Sequence, residues 1–229
     1  GIDSSLIASF LSEKYAHKKI NSFTLDFPSS KDSKYSSYVA SKFNLNHFSF
    51  ALDEKNYSEI IENTFYEIDI PPYDPAIFSA RFLCRRSKDY KIKVLLNGDG
   101  ADEIFGGYKR YYKKYFFNSY LPIFMRDFLH DISQIINEKV QLSRKFNQIN
   151  HLFLSNSAAE SYMNILSDNP EFYKNSDYIK LLVQDLYGKL STPKLNALID
   201  ERFFLPNKML LKTDRASMLE NLEARSPYL

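Results

Sequence analysis

The sequence predicts an α/β fold, a parallel sheet covered by helices on both faces, followed by a mostly helical second half. Three observations carry this reading. Through the first hundred residues, short strand patterns alternate with helical patterns of ten or more residues, which fits parallel strands joined by right-handed crossovers. Beyond about Tyr108, strand patterns nearly vanish and apolar residues recur at helical spacing. Four of the six glycines, Gly98, Gly100, Gly106 and Gly107, fall within ten residues just after the last strand pattern.

Each element has its own warrant. Leu6, Ile7, Phe10 and Leu11 share one face of a first helix, and Asp3-Ser4-Ser5 stands at its start, where side-chain acceptors cap well. Phe23, Leu25 and Phe27 alternate in a short strand closed by Pro28 and two serines. A second helix is expected over residues 35–43 and a strand over 47–52. A third helix runs through Ile60, Ile61, Phe65 and Ile68 and stops at Pro71-Pro72. After Asp74-Pro75 a fourth carries Ile77, Phe78, Phe82 and Leu83, and Val94-Leu95-Leu96 reads as a buried strand. In the second half, Ile179, Leu182, Val183, Leu186 and Leu190 make one apolar stripe, and Leu195, Leu198, Ile199 and Phe203 make another. Ser191-Thr192-Pro193 separates the two.

Composition narrows the function. A chain of 229 residues, 44% hydrophobic and 25% charged, is an ordinary globular chain of one large domain or two small ones. No apolar stretch approaches the roughly 20 residues that span a bilayer, so a membrane is not an expected partner. A single cysteine, Cys84, excludes an internal disulfide framework. The four histidines, His17, His47, His130 and His151, have no helical zinc spacing. A net charge of +2 gives no argument for nucleic acid. Arg81, Arg85 and Arg86 read as a solvated helix face, Cys84 as a small buried apolar residue and His47 as structural.

Two segments carry chemistry. Gly1-Ile2-Asp3-Ser4-Ser5 opens a helix, where free N–H groups and partial positive charge suit a phosphate; a plain capped helix is the alternative. Asn97-Gly98-Asp99-Gly100-Ala101-Asp102-Glu103 places two glycines and three carboxylates at a strand end. Glycines let a backbone approach a ligand closely, and crowded carboxylates call for a cation or a proton. Mg²⁺ takes one or two carboxylates plus phosphates, which suits this placement; an acidic turn capping a helix is the alternative.

The residues 97–108, Asn-Gly-Asp-Gly-Ala-Asp-Glu-Ile-Phe-Gly-Gly-Tyr, resemble the strand-end motif of the asparagine synthetases, commonly Ser-Gly-Asp/Glu-Gly-x-Asp-Glu-Leu/Ile-Phe-Gly-Gly-Tyr. Gly1-Ile2-Asp3-Ser4-Ser5 resembles the tail of that family's pyrophosphate loop, Ser-Gly-Gly-x-Asp-Ser-Ser. A third stretch, Leu205-Pro206-Asn207-Lys208-Met209-Leu210-Leu211-Lys212-Thr213-Asp214-Arg215-Ala216-Ser217-Met218, continuing to Leu222-Glu223-Ala224-Arg225-Ser226-Pro227-Tyr228-Leu229, resembles its C-terminal signature. The three occur in the family's order and cover the chain end to end. The resemblance implies a Rossmann-like sheet of the adenine nucleotide α-hydrolase type in residues 1–118 and a helical part in 119–229. It also implies a fragment: the pyrophosphate loop lacks its first two residues, and a glutaminase domain beginning with cysteine would belong to a missing N-terminal portion.

The implied reaction joins ATP, aspartate and ammonia. The aspartate side chain is adenylated with release of pyrophosphate, and ammonia then displaces AMP. By resemblance, Gly1, Ser4 and Ser5 cradle pyrophosphate, Asp3 and Asp102 reach Mg²⁺, and Leu25, Asn97 and Gly98 contact the nucleoside. Asp99 orients or deprotonates the incoming amine, and Lys212 stabilises charge on the α-phosphate. Asp214 and Arg215 are expected as a structural ion pair. Asn97 departs from the usual Ser but keeps hydrogen-bonding capacity. A cytoplasmic location is implied, and a homodimer is among the assemblies the resemblance allows. Related readings keep the acyl-adenylate and change the acceptor, as in β-lactam synthetases, peptide macrolactam cyclases and sugar-acid amidotransferases. A nucleotide-binding module without catalysis is the reading from another class.

Overall fold

Strand β1 (Asn21–Asp26) pairs in parallel with β2 (Asn46–Ala51), with Phe23 opposite Phe48 and Leu25 opposite Phe50. The computed structural model that contains this pair describes residues 1–26, 32–72, 74–112 and 190–229, with isolated positions from 115 to 135. Because side chains alternate along a strand, Phe23, Leu25, Phe48 and Phe50 share one face of the pair. They pack on a core of Ile60, Ile77, Phe78, Phe82 and Ala216. Tyr90 closes this face, its ring 4.0 Å from that of Phe48.

The opposite face is polar and carries helix α2 (Asp32–Lys42). Ser22 meets His47 Nδ1 at 3.0 Å and Ser36 of α2 meets Nε2 at 3.3 Å. Burial lowers the His47 pKa, so the imidazole is neutral and bonded on both nitrogens. Its structural role is as expected. Helices therefore flank the β1–β2 pair on both faces.

On the apolar side lie α3 (Glu54–Glu67) and α4 (Ala76–Lys88). Asp53 caps α3 by accepting from Asn56 N at 2.7 Å, and Asp74 accepts from Ala76 N at 3.0 Å ahead of α4. Two expectations for this region fail. Helix α1 (Ile2–Lys14) buries no side chain, and Phe10 of its apolar face is 64% exposed. Arg81 is not solvated: its side chain is 1% exposed, bonded to Glu220, Glu67 and Thr64. Burying a guanidinium is tolerable here because all three partners are within hydrogen-bond reach. Cys84 is buried as expected, and its thiol is pushed up to about 12 by burial and by the charge of Glu220.

A second parallel pair joins β3 (Val94–Leu96) to β4 (Glu223–Arg225). Val94 and Leu96 are each 39% exposed, so β3 is not the buried strand its apolar run suggests. Among the described residues it has one neighbouring strand, and that neighbour lies in the stretch expected to be helical.

The contacts divide the chain into two units, residues 1–101 with 203–229, and residues 102–202. The elements above belong to the first unit. The second includes most of the short helix α5 (Ala101–Phe105), a 3₁₀ turn (Lys109–Tyr112) and helix α6 (Thr192–Ile199). There Tyr111 and Asp200 are fully buried and hydrogen-bonded at 2.7 Å, and Asn196 Nδ2 donates to the Tyr111 carbonyl at 2.9 Å. Leu195 and Ile199 of the second expected stripe are buried. The stripe through Ile179, Leu182, Val183 and Leu186, and the strand closure at Pro28, lie outside the described residues. From Asp200 the chain follows eleven residues of wide π-type turns, Asp200–Leu210, with Pro206 inside, and enters α7 (Leu211–Met218). Among the described residues no helix is long and apolar enough to cross a membrane.

Candidate functional site at the start of α1 and the end of β3

Helix α1 starts directly after Gly1, so Asp3, Ser4 and Ser5 already lie inside its first turn. An N-cap side chain must stand at the residue before the helix, and that residue is glycine. No side chain caps α1, contrary to the expectation for Asp3-Ser4-Ser5. Ser5 Oγ instead donates back to the Gly1 carbonyl at 2.8 Å. The first-turn N–H groups are thus left without a capping acceptor, the condition under which a helix start receives an anion.

The turn after β3 comes directly against this helix start. A Cβ at Gly98 would lie 2.9 Å from Asp3 Cβ and 3.2 Å from both the N and Oγ of Ser4. Only glycine permits the approach. Gly98→Ala is expected to cost about 1–3 kcal/mol through overpacking, seen as a lower Tm in a thermal melt.

The C-terminal motif ties both segments down. Asn97 N donates to the Arg225 carbonyl at 3.0 Å, extending the β3–β4 pairing by one bond. Ser226 Oγ donates to Asn97 Oδ1 at 2.7 Å, and Tyr228 OH donates to the Asp3 carbonyl at 2.9 Å. Burial and the nearby negative charge of Asp3 both raise the Tyr228 phenol, which keeps its donating proton. Leu229 covers Gly100, whose φ of +91° favours glycine. Thr213 Oγ1 donates to Asp99 Oδ2 at 2.6 Å.

Gly1, Asp3, Ser4, Ser5, Asn97, Gly98 and Asp99 are therefore gathered in one place. Lys212 is half-buried in the first turn of α7, beside the residue that holds Asp99. Among the described residues Lys212 and Asp99 form no ion pair with each other, so both charges stay available. Leu25 is not part of this cluster in its described contacts; it packs against the apolar core from β1. Asp214 and Arg215 form no ion pair with each other among the described residues, and Asp214 is exposed.

Asp102 lies in the first turn of α5, in the second unit. Its carboxylate sits so close to Gly107 that a Cβ there would overlap Asp102 Oδ1. Its neighbour Glu103 is buried and accepts from Tyr108 OH at 2.9 Å; burial raises the Glu103 carboxyl. Among the described residues no group of three or more His, Cys, Asp or Glu is arranged to hold a metal ion. Any cation at this site would have to take fewer carboxylates, which is the habit of Mg²⁺ on phosphates.

Thr213, Ser226 and Tyr228 had no assigned role from sequence. Their only signal was membership of the third motif, since each acts through a partner more than a hundred positions away.

The family model for asparagine synthase matches residues 1–229. A Methanocaldococcus jannaschii protein provisionally named asparagine synthetase (glutamine-hydrolysing) 2 is 27% identical over 235 residues, covering 96% of this chain and 44% of that protein. Asparagine synthetase (glutamine-hydrolysing) 1 of Bacillus subtilis is 24% identical over 241 residues, covering all of this chain and 37% of its own length. Asparagine synthetase (glutamine-hydrolysing) 1 of Arabidopsis thaliana is 31% identical over 125 residues, covering 49% of this chain and 21% of that protein. This chain thus spans 37–44% of the length of the first two relatives.

Proposed function

Because this chain belongs to the asparagine synthase family, we propose that it carries the ATP-dependent, amide-forming part of a glutamine-hydrolysing asparagine synthetase. The observation that supports this best is the meeting of three motifs separated in sequence: Gly98 against Asp3 and Ser4, Asp99 on Thr213, and Asn97 on Ser226.

The chemistry follows from what each group can offer. A carboxylate is a poor acyl donor at neutral pH and needs a leaving group. In the first step a carboxylate oxygen of aspartate attacks the α-phosphorus of ATP; the bond to the β-phosphate oxygen breaks, and pyrophosphate leaves with the electron pair. The uncapped first turn of α1, with the Ser4 and Ser5 hydroxyls, suits the departing pyrophosphate. Lys212 would balance the charge that gathers on the α-phosphate. Asn97 and Gly98 would line the nucleoside side, with Leu25 as a further proposed contact to adenine.

In the second step ammonia attacks the acyl carbon. A C–N bond forms, the bond to AMP breaks with its electrons, and the proton shed by nitrogen passes to Asp99. Asp3 is the carboxylate proposed here for Mg²⁺, which when bound would neutralise phosphate charge. The relatives named above are called glutamine-hydrolysing, and we assign that hydrolysis to a domain outside residues 1–229.

The test is ATP–pyrophosphate exchange in protein containing this chain, with aspartate compared against glutamate and other carboxylic acids. Exchange that depends on aspartate is expected. Exchange that requires a different acid would replace aspartate as acceptor, and none with any acid would leave the nucleotide-binding module as the better reading.

A further inference from the structure

We propose that Thr213 is a positioning residue that fixes the Asp99 carboxylate for the amine-attack step; this rests on the role given to Asp99 above. The Thr213 hydroxyl donates to Asp99 Oδ2 at 2.6 Å across 114 residues of sequence. Asp99 is held a second time through its backbone, its N–H donating to Asn97 Oδ1 at 3.3 Å. One carboxylate oxygen and the main chain are thereby fixed. The other oxygen, Oδ1, accepts no hydrogen bond among the described residues, so it is the one free to meet an amine.

The identity of the holder matters. Lys212 directly precedes Thr213 and makes no ion pair with Asp99. A cation in the Thr213 position would neutralise the carboxylate and compete with ammonium for it. A hydroxyl orients the carboxylate without cancelling its charge. Threonine adds stiffness, because its β-branch restricts χ1 in a helix. The first turn of α7 thus delivers two different services from consecutive residues, a cation for a phosphate and a neutral donor for a carboxylate.

The experiment compares Thr213→Val, Thr213→Ser and Asp99→Asn in protein containing this chain. Two half-reactions are followed separately: aspartate-dependent ATP–pyrophosphate exchange, and amide formation with added ammonium. Thr213→Val, nearly isosteric but without the hydroxyl, is expected to keep exchange near wild type. It should lose about 10- to 100-fold in kcat/KM for ammonium, the range for a lost hydrogen bond to a charged group. Thr213→Ser should restore most of that loss. Wild-type amide formation by Thr213→Val would overturn the proposal. So would equal impairment of the Ser and Val variants, which would make the methyl group the reason, or an equal fall in both half-reactions, which would place Thr213 with Lys212 in adenylation. If Asp99→Asn forms amide normally, the role of Asp99 is wrong and the proposal falls with it. If Asp99→Asn is impaired while Thr213→Val is not, only the link through Thr213 fails.

Discussion

Lys212→Ala is expected to lower aspartate-dependent pyrophosphate release by about 10²- to 10³-fold while leaving the melting transition nearly unchanged. The size follows from the few kcal/mol that a fixed charge contributes to a developing anion in a partly water-excluded site. The unchanged fold follows from the surroundings of Lys212. It is half-buried in the first turn of α7 and forms no ion pair among the described residues, so its removal strands no partner. Lys212→Arg should also be impaired, because a planar guanidinium fork does not overlay a compact ammonium. Near-normal pyrophosphate release by Lys212→Ala would remove the residue from the chemistry. A large drop in Tm would instead make it part of the scaffold.

Arg81→Ala is expected to have the opposite profile, a large loss of stability from a residue with no assigned chemistry. The Arg81 side chain is 1% exposed and donates to Glu220 at 2.8 Å, Thr64 at 3.1 Å and Glu67 at 2.6 Å. It thereby links α3 and α4 to the segment just after α7. Truncation leaves the Glu220 carboxylate, 8% exposed, with Arg85 at 3.2 Å as its remaining ion-pair partner among the described residues. Breaking one side of a buried pair costs about 3–5 kcal/mol, against a total of roughly 5–15 kcal/mol for a domain. Urea denaturation would show this as a lower midpoint. Removing both charges with Arg81→Met and Glu220→Leu should recover part of the loss, since no unpaired charge is then buried. If the single variant unfolds at the wild-type midpoint, the ion cluster contributes nothing net.

What could be read from the sequence, and what could not, divides along physical lines. The β1–α2–β2–α3–α4 order follows from local periodicity and from the Asp74-Pro75 and Pro71-Pro72 signals, all of which act within a few residues. Strand β4 was invisible because Glu223-Ala224-Arg225 has no apolar alternation; its pairing with β3 makes it a strand. The burial of Arg81 was missed for a similar reason. Three arginines in six positions look like a wet helix face until Glu220, 139 positions away, is seen to meet one of them. Helix α1 had the apolar pattern of a packed helix but buries nothing, since pattern states what a face can do and not what covers it. At the candidate site, Asp3, Asp99 and Lys212 could be given proposed roles through the motif resemblance. Thr213, Ser226 and Tyr228 could not, because they work by holding other residues.

The way Ser226 and Tyr228 fasten Asn97 and Asp3 also sets when the site can come into being. The Tyr228 bond closes a separation of 225 residues, and the Ser226 bond one of 129. During synthesis the α1 segment leaves the ribosome long before its fastener exists. At about 5–20 residues per second, the wait is roughly 10–45 s. Throughout that interval the start of α1 has no latch, and contacts of such long range are among the slowest to form. A polypeptide released before residue 226 would lack both tethers, so ligand-induced protection should emerge only once residues 226–228 have been translated.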